Sequence, residues 1–191
     1  SDLVVSENGD IYIIGHCYNS GVYVRSYLMK LNSDGDSLWS KKYFYDYGTL
    51  FRNFIISYDN HLTISCDINY PANSRTMKLI SVNPAGELRW ETNIIENDTN
   101  FHYSTFGLLQ LPDSSFFMSG SYHYSDYNYK PFMARVSATG ELLYTRVHEL
   151  PWPEGSAMVN SICPDGNENV MNCAEFGLTP LVNQGIWMIK T

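Results

Sequence analysis

The sequence predicts an all-β chain assembled from one unit repeated four times, and three observations carry that expectation. A glycine-centred segment occurs at Leu31-Asn-Ser-Asp-Gly35-Asp-Ser-Leu-Trp39 and again at Val82-Asn-Pro-Ala-Gly86-Glu-Leu-Arg-Trp90 and Val136-Ser-Ala-Thr-Gly140-Glu-Leu-Leu-Tyr144, with the glycines 51 and 54 residues apart. A second turn-rich segment precedes each of these and appears a fourth time, at Asn8-Gly9-Asp10, Asp59-Asn60, Pro112-Asp113 and Asp165-Gly166, followed in each case by an apolar run. No stretch of helical period separates them, and a repeat of this length is the signature of a stacked array of small supersecondary units.

Each unit reads as four strands. A short one precedes the first turn, as Ser1 to Ser6 does in the first unit. A second follows that turn, a third leads into the glycine segment, and a fourth carries the Trp or Tyr. Asn8-Gly9, Asp34-Gly35 and Asp165-Gly166 are two-residue hairpin signals, because such turns need positive φ, which Gly, Asn and Asp supply cheaply. Successive strands are therefore antiparallel neighbours. Ile11 to Ile14 and Tyr27 to Leu31 are apolar on both faces, as a sheet covered on both sides requires.

Four-stranded antiparallel sheets, covered on both faces and repeated about every 50 residues, are what radially stacked blades require. The expected architecture is thus a β-propeller domain over residues 1–191, with blade units at about 1–47, 48–98, 99–150 and 151–191. The last unit runs to Ile186-Trp-Met-Ile-Lys190-Thr191, where Lys190 matches Lys30 and Arg135, and lacks the fourth strand. Fifteen strands leave an unpaired edge at Trp187 to Thr191, so the expectation is an open arc of a larger propeller, or a ring closed by contacts the sequence does not show.

Composition narrows the function classes. Hydrophobic residues make up 44%, charged residues 17% and aromatics 15%, with 15 tyrosines, which suits a packed fold rather than a disordered one. The net charge of -8 is spread along the chain, and 12 Lys plus Arg are too scattered to track phosphates, so nucleic acid and anionic membrane are poor partners. No apolar run is long enough to span a bilayer. The chain starts at Ser1 without a basic segment or initiator Met, as a processed or excised piece would. Cys17, Cys66, Cys163 and Cys173 have no CxxC spacing, so structural zinc is not expected. Cys163 and Cys173 are near enough to bridge one hairpin, but the preferred reading is free thiols packed as small apolar residues.

The Leu-Asn-x-x-Gly-x-x-x-Trp element resembles the tryptophan-docking motif of quinoprotein-type (PQQ-like) propeller repeats. It resembles still more closely the propeller repeats of secreted and surface proteins of Bacteroidetes-type bacteria. The likeness covers nearly the whole chain. It implies that Trp39, Trp90 and Tyr144 pack between blades, that Gly35, Gly86 and Gly140 are scaffold turns, and that Trp187 is a third-strand residue. Quinoprotein dehydrogenases hold their cofactor with adjacent cysteines and calcium, and adjacent cysteines are missing here. The sialidase Asp-box, WD-repeat and kelch signatures are missing as well.

Candidate binding residues come from the features the scaffold does not absorb. His16 and His123 follow the central strand of their blades and could line a shared pocket on one propeller face. Tyr43-Phe-Tyr-Asp-Tyr47 alternates with period two, as an outer strand between blades would. Tyr122-His-Tyr-Ser-Asp-Tyr-Asn-Tyr129 is expected as a long loop whose Tyr124, Tyr127 and Tyr129 offer ring area and hydroxyls to a sugar or a protein. Trp152, held extended by Pro151 and Pro153, is placed at a blade interface. Asp34-Gly35-Asp36 and Asp165-Gly166-Asn167-Glu168 offer oxygens to calcium but fall short of the Asp-x-Asp-x-Asp-Gly signature, and no cofactor is expected.

No Gly-x-Ser-x-Gly, His-Glu-x-x-His or phosphate loop is present, so no catalytic residues are assigned. The expected function is that of a non-enzymatic extracytoplasmic binding or scaffold module, its partner another envelope or secreted protein. The Bacteroidetes resemblance implies a secreted, cell-surface or outer-membrane setting and assembly with type IX secretion components. The alternative is a carbohydrate-binding or carbohydrate-active propeller, lectin or glycoside hydrolase, with a glycan as partner.

Overall fold

The computed structural model of the chain describes residues 2–17, 25–43, 48–69, 75–98, 102–123, 129–149, 155–164, 170–178 and 183–190. Among the described residues there are fifteen strands and no helix. They fall into two compact units, Ser1–Thr99 and Asn100–Thr191.

The first unit holds two four-stranded meanders. One runs β1 (Asp2–Val5), β2 (Ile11–Cys17), β3 (Arg25–Leu31) and β4 (Ser37–Lys42) in spatial order. The other runs β5 (Gly48–Ile56), β6 (Leu62–Asn69), β7 (Arg75–Val82) and β8 (Leu88–Asp98). All pairings are antiparallel, with Val5 opposite Ile11 and Ile11 opposite Leu31. β5 packs on β1, β2 and β3, so the sheets meet face to face through the first strand of the second. Tyr12, Ile14 and Leu28 of one sheet and Phe51, Phe54, Leu62, Ile64, Cys66, Ile80 and Val82 of the other form a single core. Leu62 to Ile68 of β6 are buried without a break, which accounts for their unalternating apolar character.

Two contacts stitch these sheets together. The buried Ser26 hydroxyl donates to the Thr49 carbonyl at 2.8 Å and accepts from the Phe51 N–H at 2.9 Å. At the outer edge Trp39 lies tilted on Tyr12, ring centroids 6.2 Å apart, and reaches the turn at Gly86. Tyr43 donates its hydroxyl to the Gly86 carbonyl at 2.8 Å and packs on Phe51.

Six hairpins share one geometry, and it is not the two-residue turn that Asn8-Gly9 and Asp34-Gly35 suggest. In the first, Gly9 N–H closes on the Ser6 carbonyl and Ser6 N–H bonds the Asp10 carbonyl, giving a three-residue loop. The same pair of bonds recurs at Asn32–Asp36, Ser57–His61, Asn83–Glu87, Leu111–Ser115 and Ser137–Glu141. This loop needs positive φ at one position only, where a type I′ two-residue turn would need it at both. Gly9, Gly35, Gly86 and Gly140 fill that position at φ of 85°, 87°, 75° and 90°, and Asn60 and Ser114 fill it at 58° and 66°. The opening side chain locks the loop: Asn32 Oδ1 accepts from the N–H of Asp34 and Asp36, and Asn83 Oδ1 from those of Ala85 and Glu87. Asp165-Gly166 lies outside the described residues.

The second unit holds a four-stranded meander of β9 (His102–Gln110), β10 (Phe116–His123), β11 (Tyr129–Val136) and β12 (Leu142–Val147). Beside it is a three-stranded one of β13 (Gly155–Pro164), β14 (Val170–Leu178) and β15 (Asn183–Lys190). β13 packs on β9, β10 and β11, with Leu111, Phe117, Met133 and Val170 in the core. Ser121 Oγ accepts the Val159 N–H at 3.1 Å, at the residue before a β13 bulge, just as Ser26 serves Phe51 before the bulge in β5. The Tyr122–Tyr129 segment is shorter as a loop than the sequence suggests, because Tyr122 and His123 extend β10 and Tyr129 opens β11. Cys66 is buried, whereas Cys17 and Cys163 are exposed free thiols rather than packed apolar residues, so Cys163 forms no bridge to Cys173.

Candidate functional site

In the first unit the tips of three hairpins converge on a cleft of about 280 Å³, lined by Ser6, Glu7, Asn8, Asp10, Tyr12, Lys30, Ile56, Asn60, Leu62 and Pro84. A second hollow of about 300 Å³ continues it past Val5, Ser57 and Tyr58, sharing Ser6, Glu7, Ile56 and Asn60. Tyr58, at a hairpin tip, is 66% exposed, and Val5 beside it is 59% exposed.

Lys30, Asp10, Asp59 and Arg89, in and around this groove, are tied in pairs. Lys30 Nζ lies 2.7 Å from Asp10 Oδ2 and 5.3 Å from the centroid of the Tyr12 ring. Asn8 Nδ2 also donates to Asp10 Oδ2, at 2.9 Å. The bonds from Lys30 and Asn8 hold the Asp10 carboxyl below the usual carboxylate range. Burial works against the Lys30 ammonium, and Asp10 and Tyr12 together overcome this and raise its pKa. Asp59 accepts from Ser57 Oγ at 2.6 Å and lies 3.0 Å from Arg89 Nη1 and 3.1 Å from His61 Nδ1. Burial pushes its carboxyl up, but Ser57, His61 and Arg89 outweigh that and leave it below the ordinary value.

Such carboxylates are poor proton donors, because a general acid needs its pKa raised towards the working pH. The groove keeps hydrogen-bonding groups on Asn8, Asn60, Ser6 and Glu7 and the ring of Tyr58, which suits recognition better than proton transfer. Among the described residues no group of three or more His, Cys, Asp or Glu could hold a metal ion. Nor is any helix long and apolar enough to cross a membrane.

The residues singled out in the sequence lie elsewhere. His16 is half-buried in β2 opposite Ser26. It does not line the groove, and His123 ends β10 in the second unit. Tyr129 is half-buried at the start of β11, opposite His123. Tyr124, Tyr127 and Trp152 lie outside the described residues. Trp90 is half-buried in β8 opposite Ser81, Trp187 pairs with Ala174 in the third strand of its sheet, and Tyr144 is 39% exposed. Gly35 has open space around it, while Gly86 is closed in by Trp39 and Lys41. The groove itself escaped sequence reading: Asn8, Asn60 and Pro84 sit on the tips of three separate hairpins, where turn chemistry alone explains them.

The fold has close company among solved structures. No protein-family model and no curated protein sequence matches the chain. Over 98% of its length it is similar to a crystal structure of a protein of unknown function from Bacteroides caccae, at 12% identity and TM-score 0.53. It is similar over 98% to an endo-arabinase from Bacteroides thetaiotaomicron (12%, 0.61) and over 98% to a Hadza microbial sialidase (10%, 0.65). The chain spans 59%, 72% and 43% of those proteins, respectively. At such identities the likeness speaks for architecture only. Meander sheets that stack through their first strands, and this set of neighbours, make the chain an all-β protein of β-propeller blades.

Proposed function

We propose that the chain is a non-catalytic binding module that uses the hairpin tips of its blades to hold another envelope or secreted protein outside the cytoplasm. The observation that carries this reading is that Asp10 and Asp59, the carboxylates beside the groove with resolved partners, are engaged in fixed pairs with Lys30 and Arg89. What the groove presents outward is amide, hydroxyl and aromatic surface together with the Glu7 carboxylate. An extracytoplasmic setting is supported by the Bacteroidetes-type repeat and by two similar folds from Bacteroides species.

A glycan is the second reading, favoured by Tyr58, which is exposed and lines the same hollow as Asn60, so that an aromatic ring and an amide are offered together. The experiment is to titrate the chain with arabinan oligosaccharides, sialosides and a candidate envelope protein while assaying sugar release. Saturable protein binding that Tyr58→Ala weakens, without sugar release, supports the leading proposal. Saturable oligosaccharide binding shifts it to a lectin, and turnover overturns the non-catalytic reading.

A further inference from the structure

The equivalent first hairpins of three sheets serve as internal controls on one another. Closed by the same bonds, they align Glu7 with Tyr58 and Pro112, and the left-handed Gly9 with Asn60 and Ser114. Each carries one acid held by a cation of its own sheet: Asp10 by Lys30 at 2.7 Å, Asp59 by Arg89 at 3.0 Å and Asp113 by Arg135 at 2.6 Å. That pair belongs to the scaffold. Glu7 is a second acid on the first hairpin, where its counterparts are a tyrosine and a proline, and no bond that closes the loop uses its side chain.

Glu7 lines both hollows of the groove, is exposed, and has no ion-pair or hydrogen-bond partner for its carboxylate among the described residues. Among the described residues that line the hollows Lys30 is the only cation, and Asp10 already holds it. The groove therefore carries one uncompensated negative charge, in a chain of net charge -8. In the second hollow Glu7 is joined by Tyr58, 66% exposed, and by Ile56. A carboxylate, an aromatic face and an aliphatic wall are the three surfaces an arginine side chain engages at once, with its fork, its plane and its stem. The first hollow shows this chemistry with its cation in place. There the Lys30 ammonium pairs with the Asp10 carboxylate and stands over the Tyr12 ring, 5.3 Å from its centroid.

Building on the binding role proposed for this groove, we infer that its ligand is a basic segment of the partner polypeptide, one arginine of which pairs with Glu7 and lies on Tyr58. Arginine suits the place better than lysine, because its planar group bonds a carboxylate through two N–H donors and stacks on a ring. A segment with Asp, Glu or phosphate at that place meets like charge from Glu7, and a neutral sugar leaves the charge unused. Both hollows are walled by residues of the first unit alone.

The test uses the whole chain, isotopically labelled, and follows its amide spectrum during titration with a short Gly-Ser peptide carrying one central arginine. The same peptide with citrulline, which keeps the shape and loses the charge, is the comparison. The expected result is saturable shifts centred on the amides of residues 5–8 and 56–60. Binding should be at least about fivefold weaker for the citrulline peptide and at least about threefold weaker for Glu7→Gln and for Tyr58→Ala. Glu141→Gln, which removes one charge from a hairpin of the second unit, should leave the affinity unchanged. The spectrum itself shows whether each variant is folded. Equal binding of the two peptides at those amides overturns the arginine assignment while the groove stands as a binding site. Arginine binding that Glu7→Gln does not weaken, or no saturable shift at all, overturns it as well, and the groove is then judged separately by whether Tyr58→Ala weakens binding of the envelope protein. Neutral arabinan oligosaccharides that shift these amides where the arginine peptide does not also overturn it, in favour of a glycan.

Discussion

Adding one methyl group at Gly86 tests whether the outer strands hold neighbouring blades together. Gly86→Ala places a Cβ 2.9 Å from Lys41 Cδ and 3.0 Å and 3.1 Å from two atoms of the Trp39 ring. The lysine can swing aside. The indole cannot, because it also lies on Tyr12. Gly86 has φ of 75°, where a side chain costs about 1–2 kcal/mol, and overpacking against the ring adds about 1–3 kcal/mol. Gly35→Ala is the matched control: its φ is 87°, but nothing lies within 4 Å, so only the backbone cost applies. The entropy that alanine removes from the unfolded chain is common to both and cancels. Urea unfolding followed by tryptophan fluorescence should put Gly86→Ala below Gly35→Ala by about 1–3 kcal/mol, on the order of 1 M in midpoint. Trp39→Leu should shrink that gap in a double-mutant cycle. Equal destabilisation within about 0.5 kcal/mol would refute the inter-sheet docking argument.

Further expectations address the polar stitches and thiols. Ser26→Ala should cost about 1–3 kcal/mol in urea, since it strands the Phe51 N–H and the Thr49 carbonyl in the core. Ser121→Ala should be milder, as it serves only the Val159 N–H at 3.1 Å; a larger loss for Ser121→Ala would contradict the hydrogen-bond account. Because the Asp10 pKa is depressed on folding, its contribution is present above the unfolded carboxyl value, about 3.9, and is lost as pH falls through the folded one. Wild type should therefore lose more of its urea midpoint between pH 6 and pH 3 than Asp10→Asn, and parallel curves would rule the clamp out. A thiol reagent should label Cys17 and Cys163 in the native protein and Cys66 only after unfolding, because burial pushes the Cys66 thiol far up; peptide mapping showing early Cys66 labelling would disprove its sequestration.

The repeat was legible because turns and apolar runs are local. Gly35, Gly86 and Gly140 announce their hairpins, and the matched Lys30 and Arg135 both clamp an acidic tip residue, Asp10 and Asp113. The type of turn was not legible, since Asn8-Gly9 reads as a primed two-residue turn until Ser6 and Asp10 are seen to pair. Strand ends misled where tyrosines alternate with polar residues, because Tyr122 and Tyr129 fit a loop and a strand equally well. Buried charge was hidden too. Lys78 and Glu91 pair at 2.8 Å, and Arg52 reaches Asp67 at 2.6 Å from a bulge in β5, arrangements set by register rather than by sequence spacing. The groove was the least readable feature, being assembled from tips that are neighbours only once the sheets stack.

Because each of the six hairpins asks for a special backbone at one position, the two residues before it are conformationally ordinary and exposed: Glu7-Asn8, Ser33-Asp34, Tyr58-Asp59, Pro84-Ala85, Pro112-Asp113 and Ala138-Thr139. No two of these pairs are alike, although the loops that carry them are closed by the same bonds. The array therefore works as a display frame, in which tip chemistry can be rewritten at little cost to folding except where the tip carries an ion pair, as Asp59 does with Arg89 and Asp113 with Arg135. New specificities are most cheaply selected from a library that randomises these pairs and leaves the strands untouched.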